Sequence, residues 1–307
     1  MKKNTLVYGL SKDYFENEEW IHKHYEITGC CDQDRSRLLP TIGVPKEELK
    51  DHLHEFETVL IAADPVSIVA DLVDVFDVPL EKIEVLFYEM DKESQAKIQF
   101  YGNDSEDAAL LLLFHQLGYE GKDVRYLEIG TNDPVRFNNT FNFYKKNTGG
   151  GILVDPLPSV GYLSRLVRPQ DRFIHAAISE CSGGTVPFFA CKSSTVSSLH
   201  KEHHHQWDGQ SHNKIREISV ELMGINDLLA IAGDTLDFLL IDAEGEDERI
   251  IHAMDYERYH PKVMMVEVDH MQANREELIR FMRGKGYIEY TTIKQNVIFV
   301  SADVWIY

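Results

Sequence analysis

Short apolar runs alternate with amphipathic stretches along the first hundred residues of this 307-residue chain. The run Thr58–Asp64 is apolar at almost every position, which is typical of a strand buried on both faces of a parallel sheet. The stretches between such runs, Pro65–Phe76 for example, have the apolar spacing of helices. This alternation predicts a small Rossmann-like α/β domain with right-handed crossovers over residues 1–104.

The same alternation continues over residues 105–307 but ends differently. The strands predicted before that end are Val124–Gly130, Gly151–Asp155, Arg172–Ile178, Asp237–Asp242 and Val263–Asp269. Only two residues separate the last apolar runs, Ile288–Ile293 and Asn296–Val300, so these runs are expected to pair as an antiparallel hairpin. A mainly parallel α/β sheet closed by a terminal hairpin favours a class I methyltransferase fold over a plain dehydrogenase.

The charge balance narrows the classes of partner. The formal net charge is −20, from 31 Lys and Arg against 51 Asp and Glu, and such a surface repels phosphate backbones and anionic lipid. We therefore expect no nucleic-acid partner and no membrane partner. The longest apolar run, Ala108–Phe114, is too short to span a bilayer, and the first residues lack a signal-peptide core. A cytoplasmic protein follows, in which Cys30, Cys31, Cys181 and Cys191 stay free thiols.

Two neighbouring strand ends in the second domain suit S-adenosylmethionine (SAM), a nucleoside with a sulfonium cation and an amino-acid tail. Gly130 permits a close backbone turn, and Glu128 can hold the ammonium group of the tail directly or through water. Asp155 ends the next strand, where a carboxylate can accept from both ribose hydroxyls. Ala177 leaves room for adenine. The predicted cofactor-binding residues are Glu128, Gly130, Thr131, Asn132, Asp155, Pro156, Ala177 and Asp242.

The first domain has a weaker version of this pattern. Gly9 follows its first strand, but the further glycines of a pyrophosphate-binding loop are missing. Asp32 ends the second strand and could bind a ribose or simply cap a turn. We favour the structural or partner-contact role for this domain and leave nucleotide binding open.

Methyl transfer to a hydroxyl requires alignment of donor and acceptor and removal of the hydroxyl proton. Asp242 and Glu244 follow the fourth strand and His270 follows the fifth, and these three are the predicted catalytic residues. Glu267, Asp269 and His270 could hold Mg²⁺, which would acidify the hydroxyl. Alternatively His270 is the general base, or Asp269 and His270 only cap a turn. The presence of a metal is left open.

A histidine-rich stretch lies between the third and fourth strands. Its histidines are His200, His203, His204, His205 and His212. They lack a recognisable ligand spacing with carboxylates or cysteines, so a metal centre is not predicted here. We expect a polar loop that covers the active site and touches the acceptor.

Several motifs in residues 105–300 together carry a family resemblance. They are Tyr126–Pro134, Asn138–Thr140, Phe143–Tyr144, Gly150–Pro158, Ala176–Ser179, Ser193–Leu199, Leu240–Glu246 and Val266–Glu267. This set resembles the FkbM family of SAM-dependent methyltransferases, most strongly in the Asp-Ala-Glu-Gly-Glu block that ends at Glu246. The resemblance implies a SAM-dependent O-methyltransferase that methylates a hydroxyl of a saccharide or related hydroxylated metabolite. Asp155 stands where many members carry Glu, and either carboxylate serves the ribose.

Two other functional classes remain as alternatives. A nicotinamide-dependent oxidoreductase also uses Rossmann-like units and an acid on the second strand, but it predicts a fuller glycine fingerprint than Glu128–Pro134 has. A non-catalytic scaffold would bind partners through the first domain, which resembles small modules found beside bacterial saccharide-modifying enzymes. The predicted acceptor is a saccharide, nucleotide-linked or free. The sequence leaves the oligomeric state open, with a homo-oligomer among the alternatives.

Overall fold

The computed structural model describes residues 2–94, 99–191, 194, 197–200, 215–268 and 275–305. The chain divides into two compact units, one of residues 1–97 with Arg165–Val167 and one of residues 98–164 with 168–307. The boundary proposed from the sequence, between residues 104 and 105, stays a prediction. None of the described helices has the length and apolar composition needed to cross a membrane.

The first unit is built on a four-stranded parallel sheet in the order β2-β1-β3-β4. Its strands are β1 (Lys3–Tyr8), β2 (Tyr25–Cys31), β3 (Thr58–Ile61) and β4 (Ile83–Val85). Its α-helices are α1 (Lys12–Glu16), α2 (Glu18–His24), α3 (Leu49–His52), α4 (Pro65–Ala70) and α5 (Leu86–Glu93). The strands of this sheet are mostly buried, as their apolar composition predicts, and the predicted Rossmann-like α/β fold is confirmed.

Asp32 follows β2 and is buried. One carboxylate oxygen accepts from the backbone N–H of Leu10 at 2.7 Å, and the other accepts from that of Asp34 at 2.8 Å. Leu10 follows Gly9, whose φ of +96° turns the chain out of β1. Asp32 thus caps the loops at the carboxyl ends of β1 and β2, which is the structural role favoured from the sequence.

The second unit contains a seven-stranded sheet in the order β13-β14-β12-β11-β5-β6-β7. Its strands are β5 (Tyr126–Ile129), β6 (Ile152–Asp155), β7 (Arg172–His175), β11 (Phe238–Ile241), β12 (Val263–Glu267), β13 (Tyr287–Ile293) and β14 (Asn296–Ser301). Five strands are parallel, while β14 pairs antiparallel with both β12 and β13. The predicted mainly parallel sheet with a terminal antiparallel hairpin is confirmed.

Helices cover both faces of this sheet. They are α6 (Glu106–Gln116), α7 (Phe141–Lys146), α8 (Pro158–Val167), α9 (Ile225–Ala232), α10 (Asp247–Ala253) and α11 (Arg275–Gly284). Because side chains alternate along a strand, Leu127 and Ile129 of β5 pack among residues of α9, α10 and α11, while Tyr126 packs on the opposite face with α6 and α7. Glu128 is therefore buried on the face that α6 and α7 cover.

One predicted strand, Arg172–Ile178, is wrong in its extent. The chain leaves the large sheet after β7, and Ala177–Ser179 forms β8 of a separate sheet with β9 (Thr185–Ala190) and β10 (Arg216–Gly224) in the order β8-β10-β9. β9 and β10 are not among the strands predicted from the sequence. Many of their side chains are exposed, so their strands lack the continuous apolar runs that mark the buried strands of the large sheet.

Candidate functional site

The site is organised by a backbone contact between the loops that follow β5 and β11. Gly130 follows β5 with a φ of +82°, and a Cβ on it would overlap the carbonyl oxygen of Asp242. The amide of Asp242 in turn donates to the carbonyl of Ile129 at 3.1 Å. Only glycine combines this left-handed conformation with so close an approach. The two loops therefore meet directly at the carboxyl ends of their strands.

Asp155, at the end of β6, ties a second loop into this arrangement. Its Oδ2 accepts from the backbone N–H of Asn132 at 2.9 Å, and its Oδ1 accepts from that of Leu157 at 2.8 Å. The residue is 5% exposed, and burial raises the pKa of its carboxyl to about 6, although the two backbone hydrogen bonds oppose that rise. The structure thus brings together three of the predicted cofactor residues: Gly130, Asn132 and Asp155.

Thr131, Pro156 and Ala177 are also predicted cofactor residues. Thr131 is buried, with its amide 3.3 Å from the carbonyl oxygen of Val154. Pro156 is half-buried after β6, and its carbonyl oxygen lies 2.9 Å from Nε2 of His175. Ala177 is buried at the start of β8, in the three-stranded sheet. Their contacts with a cofactor stay predictions.

Glu128 is surrounded by polar side chains of the protein itself. Its Oε1 accepts from the amide of Asn138 at 2.9 Å, and its Oε2 accepts from the hydroxyl of Thr140 at 2.6 Å. The guanidinium of Arg168 lies 3.7 Å from Oε2. Burial raises the pKa of Glu128 to about 7, while Arg168 and these hydrogen bonds act in the opposite direction. Glu128 holds the loop after β5, and its predicted bond to an ammonium group remains a prediction.

Arg168 is a structural residue that the sequence analysis missed. It is 0% exposed and donates to Asp171 at 2.6 Å, to Tyr126 at 3.0 Å and to the carbonyl of Pro134 at 3.1 Å. Its guanidinium therefore joins the start of β5 to the loop that carries Asn138. The sequence shows two arginines at the end of the apolar helix α8, Arg165 and Arg168, but it does not reveal which is buried or what its partners are.

Three carboxylates converge beyond β11 and β12. One oxygen from each of Asp242, Glu244 and Glu267 lies within 4.8 Å of the others. Asp242 and Glu267 are hydrogen-bonded, and desolvation together with the neighbouring negative charge of Glu267 raises the pKa of Asp242 well above its usual range. Two carboxylates this close share a proton, because both cannot ionise easily. This cluster can accept a proton or hold a hard cation.

The turn that carries Asp242 and Glu244 is held in an unusual shape. Glu244 has a φ of +48° and Gly245 one of +106°. Asp247, at the start of α10, accepts from the amide of Ala243 at 2.8 Å and from that of Gly245 at 3.1 Å. The carboxylate of Asp247 thus fixes the turn from the helix side, a role that the sequence analysis did not assign.

Some predicted residues lie outside the described part of the chain. They are Asp269, His270, His203, His204, His205 and His212. The proposed catalytic and metal-binding roles of Asp269 and His270, and the predicted contact of the histidine-rich loop with the acceptor, therefore stay predictions. Of that loop, His200 is described, with its Nε2 2.5 Å from Oε1 of Glu246.

Comparisons with known proteins give a family match and a similar solved structure. Residues 128–289 match the family described as Methyltransferase FkbM domain, which is more than half of the chain. Among solved structures, a methyltransferase FkbM from Methylobacillus flagellatus KT is similar to this chain at 8% sequence identity and a TM-score of 0.36, over 97% of this chain and 91% of that one. No curated protein sequence matches significantly.

We predict that Gly130→Ala is destabilising by about 3 kcal/mol, because it adds an overlap with Asp242 to the left-handed backbone penalty. Gly118→Ala is the matched control, since Gly118 has a φ of +76° but no atom within 4 Å of an added Cβ. This control is expected to lose about 1 kcal/mol. Urea unfolding of both variants measures the difference. Equal losses would show that the contact between the loops has little energetic weight.

Proposed function

We propose that this chain, which belongs to the FkbM methyltransferase family, transfers the methyl group of SAM to a hydroxyl of a saccharide or related hydroxylated metabolite. The observation that carries the proposal is the position of the family match. Residues 128–289 include both the loops joined by Gly130 and Asp155 and the acid cluster around Asp242. A cofactor site and a proton-accepting site thus lie on adjacent strand ends of one sheet.

The residues around Asp155 suit the nucleoside of SAM. Each oxygen of Asp155 accepts one backbone hydrogen bond, and a carboxylate oxygen has two lone pairs, so each can also accept from a ribose hydroxyl. Gly130 leaves the backbone of its loop without a side chain where the amino-acid tail would pass. A sulfonium cofactor has no phosphate, which agrees with Asn132 and Pro134 standing where a pyrophosphate loop has glycines.

The acid cluster supplies the proton acceptor. In the transfer, the acceptor oxygen attacks the methyl carbon in line with the sulfonium sulfur, the carbon–sulfur bond breaks and S-adenosylhomocysteine leaves. The hydroxyl proton passes to the ionised member of the Asp242–Glu267 pair. Glu244 adds negative charge beside this pair, which favours uptake of the proton.

A divalent cation is the alternative occupant of the cluster. Three carboxylate oxygens within 4.8 Å of one another suit the oxygen preference of Mg²⁺. If bound by Asp242, Glu244 and Glu267, the ion would acidify the acceptor hydroxyl. The protein residues would then orient the ion rather than take the proton themselves.

The saccharide acceptor rests on the family resemblance alone. The proposed saccharide is free or nucleotide-linked, and the net charge of −20 does not exclude the anionic form, which needs only a locally basic pocket. The oxidoreductase alternative has no support from the family match, and the loop after Gly130 lacks the glycines of a dinucleotide fingerprint.

The affinity for S-adenosylhomocysteine is expected to fall as the pH drops below about 6. Protonation of Asp155, whose pKa is raised to about 6, removes the charged acceptor of the ribose hydroxyls, so affinity is full above that pKa and lost below it. Asp155→Asn is expected to bind about 10-fold or more weakly at pH 8 and to lose the part of the pH dependence near pH 6, while the part near pH 7, where Glu128 titrates, remains.

Calorimetry from pH 5 to pH 8 measures both effects. Asp123→Asn is the control, because Asp123 also caps a loop, through Thr148 and Gly149, away from the predicted cofactor residues. Unchanged affinity in the Asp155 variant would contradict its contact with the ribose.

Replacement of Asp242 by Asn is expected to lower the rate of methyl transfer by about 10²- to 10⁴-fold, because the shared proton acceptor is lost. The assay follows S-adenosylhomocysteine and the methylated product by mass spectrometry, with UDP-, GDP- and dTDP-linked sugars as acceptors. Glu248→Gln, an exposed change in α10, serves as the control with an unaltered rate. Transfer at the wild-type rate in the Asp242 variant would rule out the proposed role of this carboxylate.

Chelation separates the two interpretations of the acid cluster. If the carboxylate pair accepts the proton directly, as we propose, EDTA leaves turnover unchanged and added Mg²⁺ produces no binding heat. Loss of turnover in EDTA, with recovery on adding Mg²⁺ and no recovery in Glu267→Gln, would assign the cluster to the metal instead.

A further inference from the structure

His200 contacts the turn that carries the acid cluster. Its Nε2 lies 2.5 Å from Oε1 of Glu246, and its ring lies 3.5 Å from the point where a Cβ of Gly245 would be. Glu246 is 2% exposed, and its other oxygen accepts from the hydroxyl of Ser179, while Arg249 lies 3.4 Å from Oε1. The Glu246 carboxylate is thus occupied by protein partners, which indicates an anchoring role rather than a reacting one.

Ser198 makes a second contact with the same turn. Its hydroxyl donates to the carbonyl of Glu244 at 2.7 Å and accepts from the amide of His200 at 3.1 Å. The backbone of Ser198 exchanges two hydrogen bonds with Phe189 of β9, at 2.9 and 3.2 Å. The turn is therefore fixed to the three-stranded sheet through a fully buried serine.

A residue four positions earlier reaches the other side of the site. The hydroxyl of Ser194 donates to Oδ1 of Asn132 at 2.7 Å. Asn132 belongs to the loop whose amide binds Asp155, and it adopts a φ of +50°. Ser194, Ser198 and His200 thus contact both the predicted cofactor loop and the turn with the acids.

The residues that these contacts reach have an unfavourable backbone conformation. Glu244 and Asn132 are both in the left-handed region, which is unfavourable for residues with a Cβ and persists where surrounding bonds enforce it. Asp247 restrains the turn from the α10 side. Ser198 and His200 restrain it at two further residues, Glu244 and Glu246.

We propose that Ser198 and His200 are positioning residues that clamp the turn after β11. The clamp keeps Asp242 and Glu244 aligned with the methyl donor, which the proposed function places at the loop that carries Asn132. The contact of His200 Nε2 with the Glu246 carboxylate is one anchor of this clamp, and the bond of Ser198 to Glu244 is the other. The alignment of donor and acids rests on the proposed function, whereas the clamping of the turn does not. His200 itself touches neither the cofactor nor the reacting hydroxyl in this mechanism.

Hydrogen exchange of the full-length protein tests the clamp without any ligand. His200→Ala is expected to speed amide exchange at Ala243 and Gly245 about 10- to 100-fold, the factor for losing a charge-assisted hydrogen bond. His200→Arg supplies N–H donors that can reach Glu246 and is expected to stay close to wild type. His252→Ala is the matched control, since His252 pairs with Glu248 on the exposed side of α10. Wild-type exchange in His200→Ala would overturn the proposal.

Kinetics then separate positioning from a general structural role. His200→Ala is expected to lower kcat by about 10-fold or more with unchanged affinity for S-adenosylhomocysteine, while Tm falls only by the few degrees that losing one hydrogen bond costs. Glu246→Gln also disturbs the bonds to Ser179 and Arg249, so the double variant is expected to be no slower than Glu246→Gln alone. A fall of affinity together with kcat in His200→Ala would overturn positioning in favour of loss of structure. Failure of the wild type to bind S-adenosylhomocysteine would refute the proposed function, while the exchange result would still decide the clamp.

Discussion

The direct backbone contact between Gly130 and Asp242 is the constraint on which the rest of the site depends. β5 and β11 are neighbours in the sheet, with Ile129 opposite Ile241, so their loops leave the sheet side by side. A side chain at position 130 would push these loops apart. The displacement would reach Asp155 through the amide of Asn132, and it would also move the acids beyond β11. One missing Cβ therefore sets the spacing between the proposed cofactor and proton-accepting sites.

Buried carboxylates at this edge of the sheet fall into two groups according to what satisfies them. Asp155 and Asp247 accept from backbone amides, and Glu128 accepts from Asn138 and Thr140 with Arg168 nearby. These groups shape loops. Asp242 and Glu267 are instead hydrogen-bonded to each other, and a proton shared between them or a bound cation would offset the repulsion of their charges. Such an arrangement costs stability, and its presence at the strand ends is what points to chemistry there.

Each unit has an acid at the end of a strand with the same kind of backbone hydrogen bonds. Such an acid therefore does not identify a cofactor site by itself. Asp32 accepts from Leu10 and Asp34, just as Asp155 accepts from Asn132 and Leu157. A left-handed glycine also precedes each loop. The geometry of a capping acid thus follows from parallel βαβ topology alone. Among the described residues, what distinguishes the second unit is the additional acid cluster at the ends of β11 and β12, not Asp155 by itself.

The sequence by itself determined the parallel sheets, the terminal hairpin and the strand-end positions of Gly130, Asp155 and Asp242, because apolar runs buried on both faces leave a strong local signal. Only the tertiary structure decided the partners of those residues. Arg168 reaches Glu128 from 40 positions away, and His200 reaches Glu246 from 46 positions away. The segment before His200 is joined to β9, and the half-exposed strands β9 and β10 carry little apolar signal. Strand periodicity records which face a residue buries. Side-chain pairing depends on how loops distant in the chain are brought together, and no local pattern encodes that.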